Sequence, residues 1–381
     1  MKKKILFLIT SLGGGGAEKV LIDLVKNLDP LKYEITVQTV LDEGIYIKQL
    51  PKHVKYKTII KQKNKYKRSI LIRLFYYILS PKFIYEKYIK SNYDIEIAFL
   101  EGICTKFISA STNKNAKKYA WIHTDLSNQF AIKKVYNSFK SIVSSYRQFD
   151  EIMFVSESAK EGFKKRFGYF ENTRILYNIV DPKQIVEKGK LDIPEKSTKD
   201  KFRIVTVGRL VKEKGYDRLL EVHKSLINEG FKYELWIIGD GIEKNSLINF
   251  IETNNLNENV KLFGFQKNPY RYMSKCDLFV CSSRVEGFST VVTEALILKL
   301  PIVTTNCSGM NELLGNGEYG VITENSTDGL YKGLKNILSD TLFFKLYQDK
   351  AIQRSNFFSL KGQIKQYENL FDMSEEKNES V

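Results

Sequence analysis

Two glutamates with seven residues between them, Glu286 and Glu294, frame a turn from a strand-like run into a helical pattern that begins at Val291. Ser289 or Thr290 is suited to cap this helix, and the free N–H groups and positive dipole end of a helix start attract a diphosphate. Because a carboxylate repels a phosphate, we expect the two glutamates to bind neutral hydroxyls on either side of it. Sugar hydroxyls, two phosphates and ribose hydroxyls make up a nucleotide-sugar. The alternative is a buried strand–helix unit with two solvated glutamates.

Two basic residues, Arg209 and Lys214, lie in a glycine-bounded loop that follows another strand-like run. Ligand sites of α/β sheets lie at the carboxyl ends of strands. Two fixed cations at such a place suit a diphosphate leaving group, which arginine can bind through paired hydrogen bonds. The alternative is a pair of surface charges, and the presence of Glu286 and Glu294 further along the same half disfavours it.

Four glycines, Gly13–Gly16, follow the first strand-like run. The dinucleotide fingerprint G-x-G-x-x-G would need a third glycine where this chain has Glu18 or Lys19. The loop therefore favours a close backbone approach to a ligand over binding of NAD. His123 ends another strand-like run, where both a ligand-facing role and a structural role are open.

The motifs predict neither a metal ion nor a cofactor. The three histidines are too scattered for a metal cluster, and the nearest approach to D-x-D, Asp94–Glu96, alternates along a predicted strand. No P-loop or G-x-S-x-G pattern is present. The helix dipole, Arg209 and Lys214 are therefore expected to stabilise the diphosphate charge.

Strand-like and helical patterns alternate along the chain, which predicts parallel α/β sheets. A polar, lysine-rich run at 182–201 interrupts the alternation and is predicted to be a linker. We expect two Rossmann-like domains, 1–181 and 202–356, with a cleft between them. A helical tail at about 357–381 is expected to cross back to the first domain.

The net charge of the 381 residues is +16, and half of this excess lies in one stretch. Residues 61–90 contain nine Lys or Arg against one acid, interleaved with aromatic and aliphatic residues. Such a basic, aromatic, helix-compatible segment suits an anionic membrane surface. The alternative is a domain helix with solvated lysines. Nucleic acid is not expected as a partner because no nucleic-acid motif is present.

Cysteine usage and hydropathy bear on the cellular compartment. Four cysteines without a C-x-x-C pair predict a reducing environment. The apolar run after Met1–Lys4 is too short for a signal peptide, and no stretch reaches the roughly 20 apolar residues of a membrane span. We expect a cytoplasmic protein that binds peripherally to the inner face of the cell membrane.

With these motifs in this order, the chain resembles the retaining glycosyltransferases of family 4, which have the GT-B fold. The resemblance covers nearly the whole length. The matching stretches are Gly14–Glu18, Trp121–His123, Val155–Ser158, Tyr177–Asp181, Gly208–Leu210, Lys214–Gly215, Gly239–Gly241 and Glu286–Glu294.

The resemblance implies a role for each matching residue. Arg209 and Lys214 would bind the donor diphosphate, and His123 would lie near the reacting centre. Glu286 would bind hydroxyls of the transferred sugar and Glu294 those of the ribose. These residues, apart from Glu294, are the catalytic candidates. The further substrate-binding positions that the resemblance implies are Gly15, Gly16, Gly208, Phe265, Gly287, Phe288, Ser289 and Thr290.

The implied activity is retaining, metal-independent transfer of a hexose or N-acetylhexosamine. The donor would be a nucleotide-sugar, foremost a UDP-sugar, and the acceptor a lipid-linked or cell-surface polysaccharide precursor. Front-face attack assisted by the leaving diphosphate would need no protein nucleophile. The alternatives are a GT-B sugar-nucleotide hydrolase, epimerase or phosphorylase, and a non-catalytic sugar-binding subunit.

Overall fold

The computed structural model describes residues 1–62, 64–127, 135–194 and 201–372. Contacts between Cα atoms divide the chain into a first unit, Met1–Ile179 with Lys361–Val381, and a second unit, Val180–Leu360. Each unit contains one parallel sheet.

The first unit alternates strands and helices as the sequence predicts. Its strands are β1 (Lys3–Ile9), β2 (Tyr33–Leu41), β3 (Lys55–Ile60), β4 (Ile95–Ala98), β5 (Lys117–Ile122), β6 (Glu151–Phe154) and β7 (Thr173–Ile175). Its helices are α1 (Gly16–Asn27), α2 (Lys65–Arg73), α3 (Pro81–Ile84), α4 (Ile103–Ile108), α5 (Phe139–Tyr146) and α6 (Glu157–Phe167). The strand order is β3-β2-β1-β4-β5-β6-β7. The central strand β1 carries a fully buried apolar run, as is typical of a strand covered on both faces.

The second unit repeats this plan. Its strands are β8 (Phe202–Val207), β9 (Tyr233–Ile238), β10 (Val260–Leu262), β11 (Leu278–Cys281), β12 (Ile302–Thr305) and β13 (Val321–Thr323). Its helices are α7 (Pro182–Gly189), α8 (Tyr216–Asn228), α9 (Lys244–Thr253), α10 (Tyr270–Met273), α11 (Thr290–Ile297), α12 (Met310–Leu313), α13 (Thr327–Ser339) and α14 (Thr341–Ser355). The strand order is β10-β9-β8-β11-β12-β13.

Both sheets reverse their strand order at one point, between β1 and β4 in the first unit and between β8 and β11 in the second. In open α/β sheets, ligands bind beside the carboxyl ends of the strands at such a reversal. The loop after β8 carries Arg209 and Lys214, and the loop after β11 carries Glu286. The prediction of two Rossmann-like sheets is confirmed, and the topology brings the charged residues of the second sheet to one edge.

The last helix, α15 (Leu360–Asp372), confirms the predicted return of the chain to the first unit. Tyr367 Oη donates to the Tyr177 carbonyl oxygen at 2.6 Å. The ring of Phe371 packs edge-on against the rings of Phe7 and Tyr33, with centroids 6.2 and 5.9 Å apart. The part of the predicted tail at 373–381 lies outside the described residues.

The prediction of a linker at 182–201 is wrong for its first half, which forms helix α7. Asp181 caps this helix through a hydrogen bond to the Gln184 N–H, and a proline occupies its first turn. Ile185 is buried in the core of the second unit. The helix was missed because its single strongly buried apolar side chain is surrounded by lysines and polar residues. Residues 195–200 of the predicted linker lie outside the described chain.

Within the basic segment 61–90, residues 65–78 and 81–89 are helical, and Lys63 lies outside the described residues. Helices α2 and α3 continue as π-helical turns at Leu74–Ile78 and Tyr85–Ile89. One set of its apolar residues is buried in the core of the first unit: Phe75, Ile84, Tyr85 and Ile89. Another set is exposed: Tyr66, Ile70, Tyr77, Ile78 and Phe83. In the part of the chain that is described, no helix is both long and apolar enough to cross a membrane.

We expect His223 to make the second unit sensitive to acid. The side chain on α8 is 1% exposed, and neither ring nitrogen has a hydrogen-bond partner among the described residues. Burial lowers the pKa of His223 to about 4 from an ordinary value of 6.5. The unfolded chain therefore takes up the proton first, and stability is lost as the pH falls from about 6.5 through about 4, by about 2 to 3 kcal/mol.

Urea unfolding of the wild type and of His223→Leu at about pH 8 and about pH 4.5 measures this loss. The variant should lose less of its free energy of unfolding between the two pH values. Replacing the exposed His53 by Gln serves as the control and should leave the pH dependence unchanged. An equal loss in the wild type and in His223→Leu would contradict the prediction.

Candidate active site

The loop after β8, Gly208–Gly215, brings a lysine back to the carboxyl edge of the second sheet. Its last turn, Lys212–Lys214, is a 3₁₀-helix. Gly215 has a φ of +65°, and a Cβ atom there would lie 2.2 Å from the Ser282 carbonyl oxygen. A glycine is therefore needed for the close approach between this loop and the loop after β11.

Lys214 and Glu286 form an ion pair where the two loops meet. Lys214 Nζ lies 2.6 Å from Glu286 Oε1, and Ser283 Oγ donates to the same carboxylate oxygen at 2.5 Å. Burial by itself would lower the pKa of Lys214, but the adjacent Glu286 carboxylate holds that pKa above its ordinary value. The site therefore contains a charged ammonium group and a carboxylate within one hydrogen bond of each other. The positive charge of the exposed Arg209 acts in the opposite direction and lowers the pKa of Lys214.

Arg284 ties the two loops together. Its backbone N–H donates to the Glu213 carbonyl oxygen at 2.7 Å, and its Nη1 donates to the Lys212 carbonyl oxygen at 2.8 Å. Its guanidinium also makes paired hydrogen bonds of 2.7 and 2.9 Å with the two carboxylate oxygens of Asp217. Paired bonds of this kind restrain orientation as well as distance. The ion pair of Arg284 with Asp217 therefore restrains the two loops that carry Lys214 and Glu286.

Arg218 holds the loop after β11 by hydrogen bonds to its carbonyl oxygens. Its Nε and Nη2 donate to the Ser282 carbonyl oxygen at 2.9 and 2.7 Å, and Nη2 also donates to the Ser283 carbonyl oxygen at 2.7 Å. A further bond of 2.8 Å reaches Asn325 Oδ1. Sequence reasoning missed this residue, although an arginine on the apolar face of an amphipathic helix is a recognisable signal.

The start of helix α11 supplies the second part of the site. Ser289 occupies the N-cap position, as predicted, but its side chain makes no capping hydrogen bond. Its buried Oγ has no hydrogen-bond partner in the described part of the chain. Helix α11 begins at Thr290, and the Ser289 side chain accepts no hydrogen bond from its first N–H groups. These N–H groups can therefore donate to an anion.

The turn before this helix, Gly287 and Phe288, packs against the loop after β12. Gly309 has a φ of +78°, and a Cβ atom there would lie 2.3 Å from the Gly287 carbonyl oxygen. This contact fixes the path of the chain between Glu286 and the helix start.

Glu294 lies further along α11 and is almost fully buried, with 3% of the residue exposed. Tyr270 Oη donates to Glu294 Oε1 at 2.9 Å. Tyr270 begins helix α10, and the sequence analysis did not single it out. The tyrosine therefore orients the carboxylate that is predicted to bind the ribose.

Phe265, a predicted substrate-binding position, lies close in sequence to a second aromatic residue, Phe263. Phe263 packs against the rings of Trp236 and Tyr272, with centroids 4.9 and 4.8 Å apart. Phe265 is 52% exposed and follows Gly264, whose φ is +64°. The ring of Phe265 is therefore accessible to a ligand, whereas Phe263 is held among other aromatic rings, and the substrate-binding role of Phe265 stays a prediction.

In the first unit, the predicted residues also lie at carboxyl ends of strands. Gly15 is the N-cap of α1 and Gly16 is its first residue, in the loop after β1. His123 directly follows β5, with its ring 4.8 Å from the ring of Phe99 and stacked on Trp121 at 5.9 Å. Burial lowers the pKa of His123 to about 3, so the imidazole is neutral near pH 7.

Similarity to known proteins identifies the family of this chain. A family model described as glycosyl transferases group 1 matches residues 188–354. The N-acetylgalactosamine-N,N'-diacetylbacillosaminyl-diphospho-undecaprenol 4-alpha-N-acetylgalactosaminyltransferase of Campylobacter jejuni is 31% identical over 367 residues, which are 93% of this chain and 96% of that protein. This chain belongs to the group 1 glycosyltransferases.

Solved structures share the fold of this group 1 glycosyltransferase. HepE of Anabaena, in complex with UDP and glucose, has a TM-score of 0.74 at 20% identity, covering 97% of this chain and 100% of HepE. TarM of S. aureus has a TM-score of 0.71 at 16% identity, covering 97% of this chain and 99% of TarM. The predicted GT-B fold is confirmed.

The structure places the predicted residues of this glycosyltransferase in two groups. In the second unit, Lys214 and Glu286 are in contact, and Arg209 and the start of α11 belong to loops at the same edge of the sheet. His123 and the glycines of the β1 loop belong to the first unit. The individual roles assigned to these residues remain predictions. Within the described ranges, no three His, Cys, Asp or Glu side chains are grouped as metal ligands would be.

Proposed function

We propose that this glycosyltransferase moves a hexose or N-acetylhexosamine from a UDP-sugar to a lipid-linked or cell-surface polysaccharide precursor. The observation that carries the proposal is the ion pair of Lys214 with Glu286 at the reversal point of the second sheet. There a cation for phosphate and a carboxylate for sugar hydroxyls are adjacent. The Campylobacter relative, named for transfer of N-acetylgalactosamine to a diphospho-undecaprenol-linked saccharide, supports an N-acetylhexosamine donor and a lipid-linked acceptor.

The proposed reaction retains the anomeric configuration. The acceptor oxygen bonds to the anomeric carbon on the face from which the diphosphate leaves. The bond from that carbon to the diphosphate oxygen breaks, its electron pair stays on UDP, and the acceptor proton passes to UDP. Lys214, Arg209 and the N–H groups at the start of α11 stabilise the negative charge that develops on the diphosphate. Glu286 orients the sugar, and the neutral His123 can donate or accept a hydrogen bond but brings no charge.

A donor panel tests this proposal. The protein is incubated with UDP-N-acetylgalactosamine, UDP-N-acetylglucosamine, UDP-glucose and UDP-galactose, with and without a diphospho-undecaprenol-linked saccharide. We expect acceptor-dependent product of retained configuration by NMR, and unchanged rates in EDTA because protein cations replace a metal ion. Donor consumption without acceptor would indicate a hydrolase or epimerase, and dependence on inorganic phosphate a phosphorylase. No turnover and no UDP binding would overturn the proposal.

We also propose that segment 61–90 docks on the anionic inner face of the cell membrane, which makes the enzyme cytoplasmic and peripheral. Adjacent exposed residues, Tyr77 and Ile78, suit insertion between headgroups, and each basic residue near such a surface contributes about 1 kcal/mol. Sedimentation with phosphatidylglycerol vesicles should pull down the wild type but less of a Tyr77→Ser, Ile78→Ser variant. Leu342→Ser, which removes an exposed leucine of the second unit, is the control. Equal sedimentation with neutral and anionic vesicles would refute the docking.

We expect Tyr270→Phe to weaken UDP binding about 5- to 10-fold, since the lost hydrogen bond is worth about 1 kcal/mol and orients Glu294. Isothermal titration with UDP measures the dissociation constant. Tyr233→Phe is the matched control, because Tyr233 Oη is buried and has no hydrogen-bond partner among the described residues. If both variants bind UDP as the wild type does, Tyr270 does not orient the nucleotide site.

A further inference from the structure

A partly buried glutamate of the first unit, Glu101, holds the chain that follows β5. It lies just beyond β4, at the point where the sheet order reverses, and the next residue, Gly102, has a φ of +83°. Glu101 Oε1 accepts hydrogen bonds from the His123 N–H at 2.5 Å, the Thr124 N–H at 2.8 Å and Thr124 Oγ1 at 3.1 Å. One carboxylate oxygen thus binds three donors of the neighbouring loop.

The His123 ring, by contrast, is held by apolar contacts. It packs on Phe99 and Trp121, and Trp121 is in turn stacked on Tyr367 of α15 with ring centroids 5.4 Å apart. The ring nitrogen Nε2 is buried and has no hydrogen-bond partner within the described chain. Aromatic contacts of this kind tolerate sliding and rotation more than hydrogen bonds do. The direction of the ring therefore depends on the main chain from which it projects.

We propose that Glu101 is a positioning residue that sets the main chain at His123 and Thr124 for sugar transfer. The inference rests on the proposed function. The three donors that Oε1 binds all belong to His123 and Thr124, which assigns Glu101 to the main chain at these two residues. Its effect on the reaction passes through His123, which the family resemblance predicts to lie near the reacting centre.

Two substitutions separate this role from others. Glu101→Ala removes the acceptor oxygen, whereas Glu101→Gln keeps one and loses only the charge. If positioning matters, we expect kcat to fall about 10- to 100-fold in the alanine variant, because a misplaced reacting group slows a reaction by about that factor. In the glutamine variant, kcat should stay within about fivefold of wild type. The UDP dissociation constant should stay within about twofold of wild type in both, because the groups proposed to bind the donor belong to the second unit.

Hydrogen exchange provides a readout that is independent of activity. In Glu101→Ala, the amides of His123 and Thr124 should exchange at least about tenfold faster than in the wild type, and in Glu101→Gln much less so. Glu96→Gln is the matched control: Glu96 is a buried carboxyl of the same strand region, bonded to Tyr85 Oη at 2.7 Å. This control should lower the melting temperature without changing kcat or exchange at His123.

The outcomes are distinct. Unchanged kcat and exchange in Glu101→Ala would overturn the inference. Equal loss of kcat in the alanine and glutamine variants would also overturn it, since the charge or proton of Glu101 would then matter. If the wild type itself transfers no sugar, the proposed function fails, while hydrogen exchange still decides whether Glu101 holds the chain after β5.

Discussion

Replacing Lys214 by alanine is expected to lower kcat/KM for the sugar donor about 10³-fold, the upper range for removal of one preorganised charge-stabilising group. The substitution removes the ammonium that lies 2.6 Å from Glu286 Oε1. It also leaves the Glu286 carboxylate, whose side chain is 10% exposed, without its cation. Initial rates at varied donor concentration, together with the UDP dissociation constant, measure the effect. Both should deteriorate, with the larger part in kcat, because charge develops on the diphosphate as the sugar leaves.

Lys212→Ala is the matched control for this prediction. Lys212 lies in the same 3₁₀ turn, but its side chain is exposed, and its bond to Arg284 uses only the carbonyl oxygen. Its removal should change kcat/KM by less than about threefold, the effect of one screened surface charge. A Lys214→Ala enzyme that keeps more than a tenth of wild-type kcat/KM would contradict the assignment of Lys214 to the leaving group.

Replacing Arg218 by methionine should destabilise the second unit by about 3 to 5 kcal/mol, because buried carbonyl groups lose their donor and cannot regain it from water. The groups left behind are the carbonyl oxygens of Ser282 and Ser283 and the side chain of Asn325. Urea unfolding at neutral pH measures the loss. Methionine preserves the aliphatic stem, so the measured difference reports on the guanidinium.

Lys224→Met on the same helix is the control, since Lys224 is exposed and the substitution changes helix propensity little. It should alter the free energy of unfolding by less than about 0.5 kcal/mol. A loss below about 1 kcal/mol in Arg218→Met would mean that the loop after β11 is held mainly by other contacts.

Local sequence patterns were sufficient for the architecture and for the edge of the sheet at which the site lies. Alternating strand and helix periodicity predicts parallel sheets, and in these the carboxyl ends of strands lie at one edge. The residues following β8 and β11 could therefore be assigned to one site without knowledge of their contacts. The same reasoning missed helix α7, because its lysine-rich composition outweighed a helix start signal, Asp181 followed by Pro182.

What the sequence established about this protein is thus the kind of chemistry and its place: two cations, two carboxylates and a helix start that follow strands. The folded chain alone revealed which of these groups touch. Lys214 meets Glu286 across 72 positions of sequence because Gly215 allows the two loops to approach. Tyr270 acts through one long-range hydrogen bond, whereas Arg218 and Glu101 each act through several. Periodicity reports which face of an element is buried, whereas a pairing between distant loops depends on strand order and packing throughout the unit.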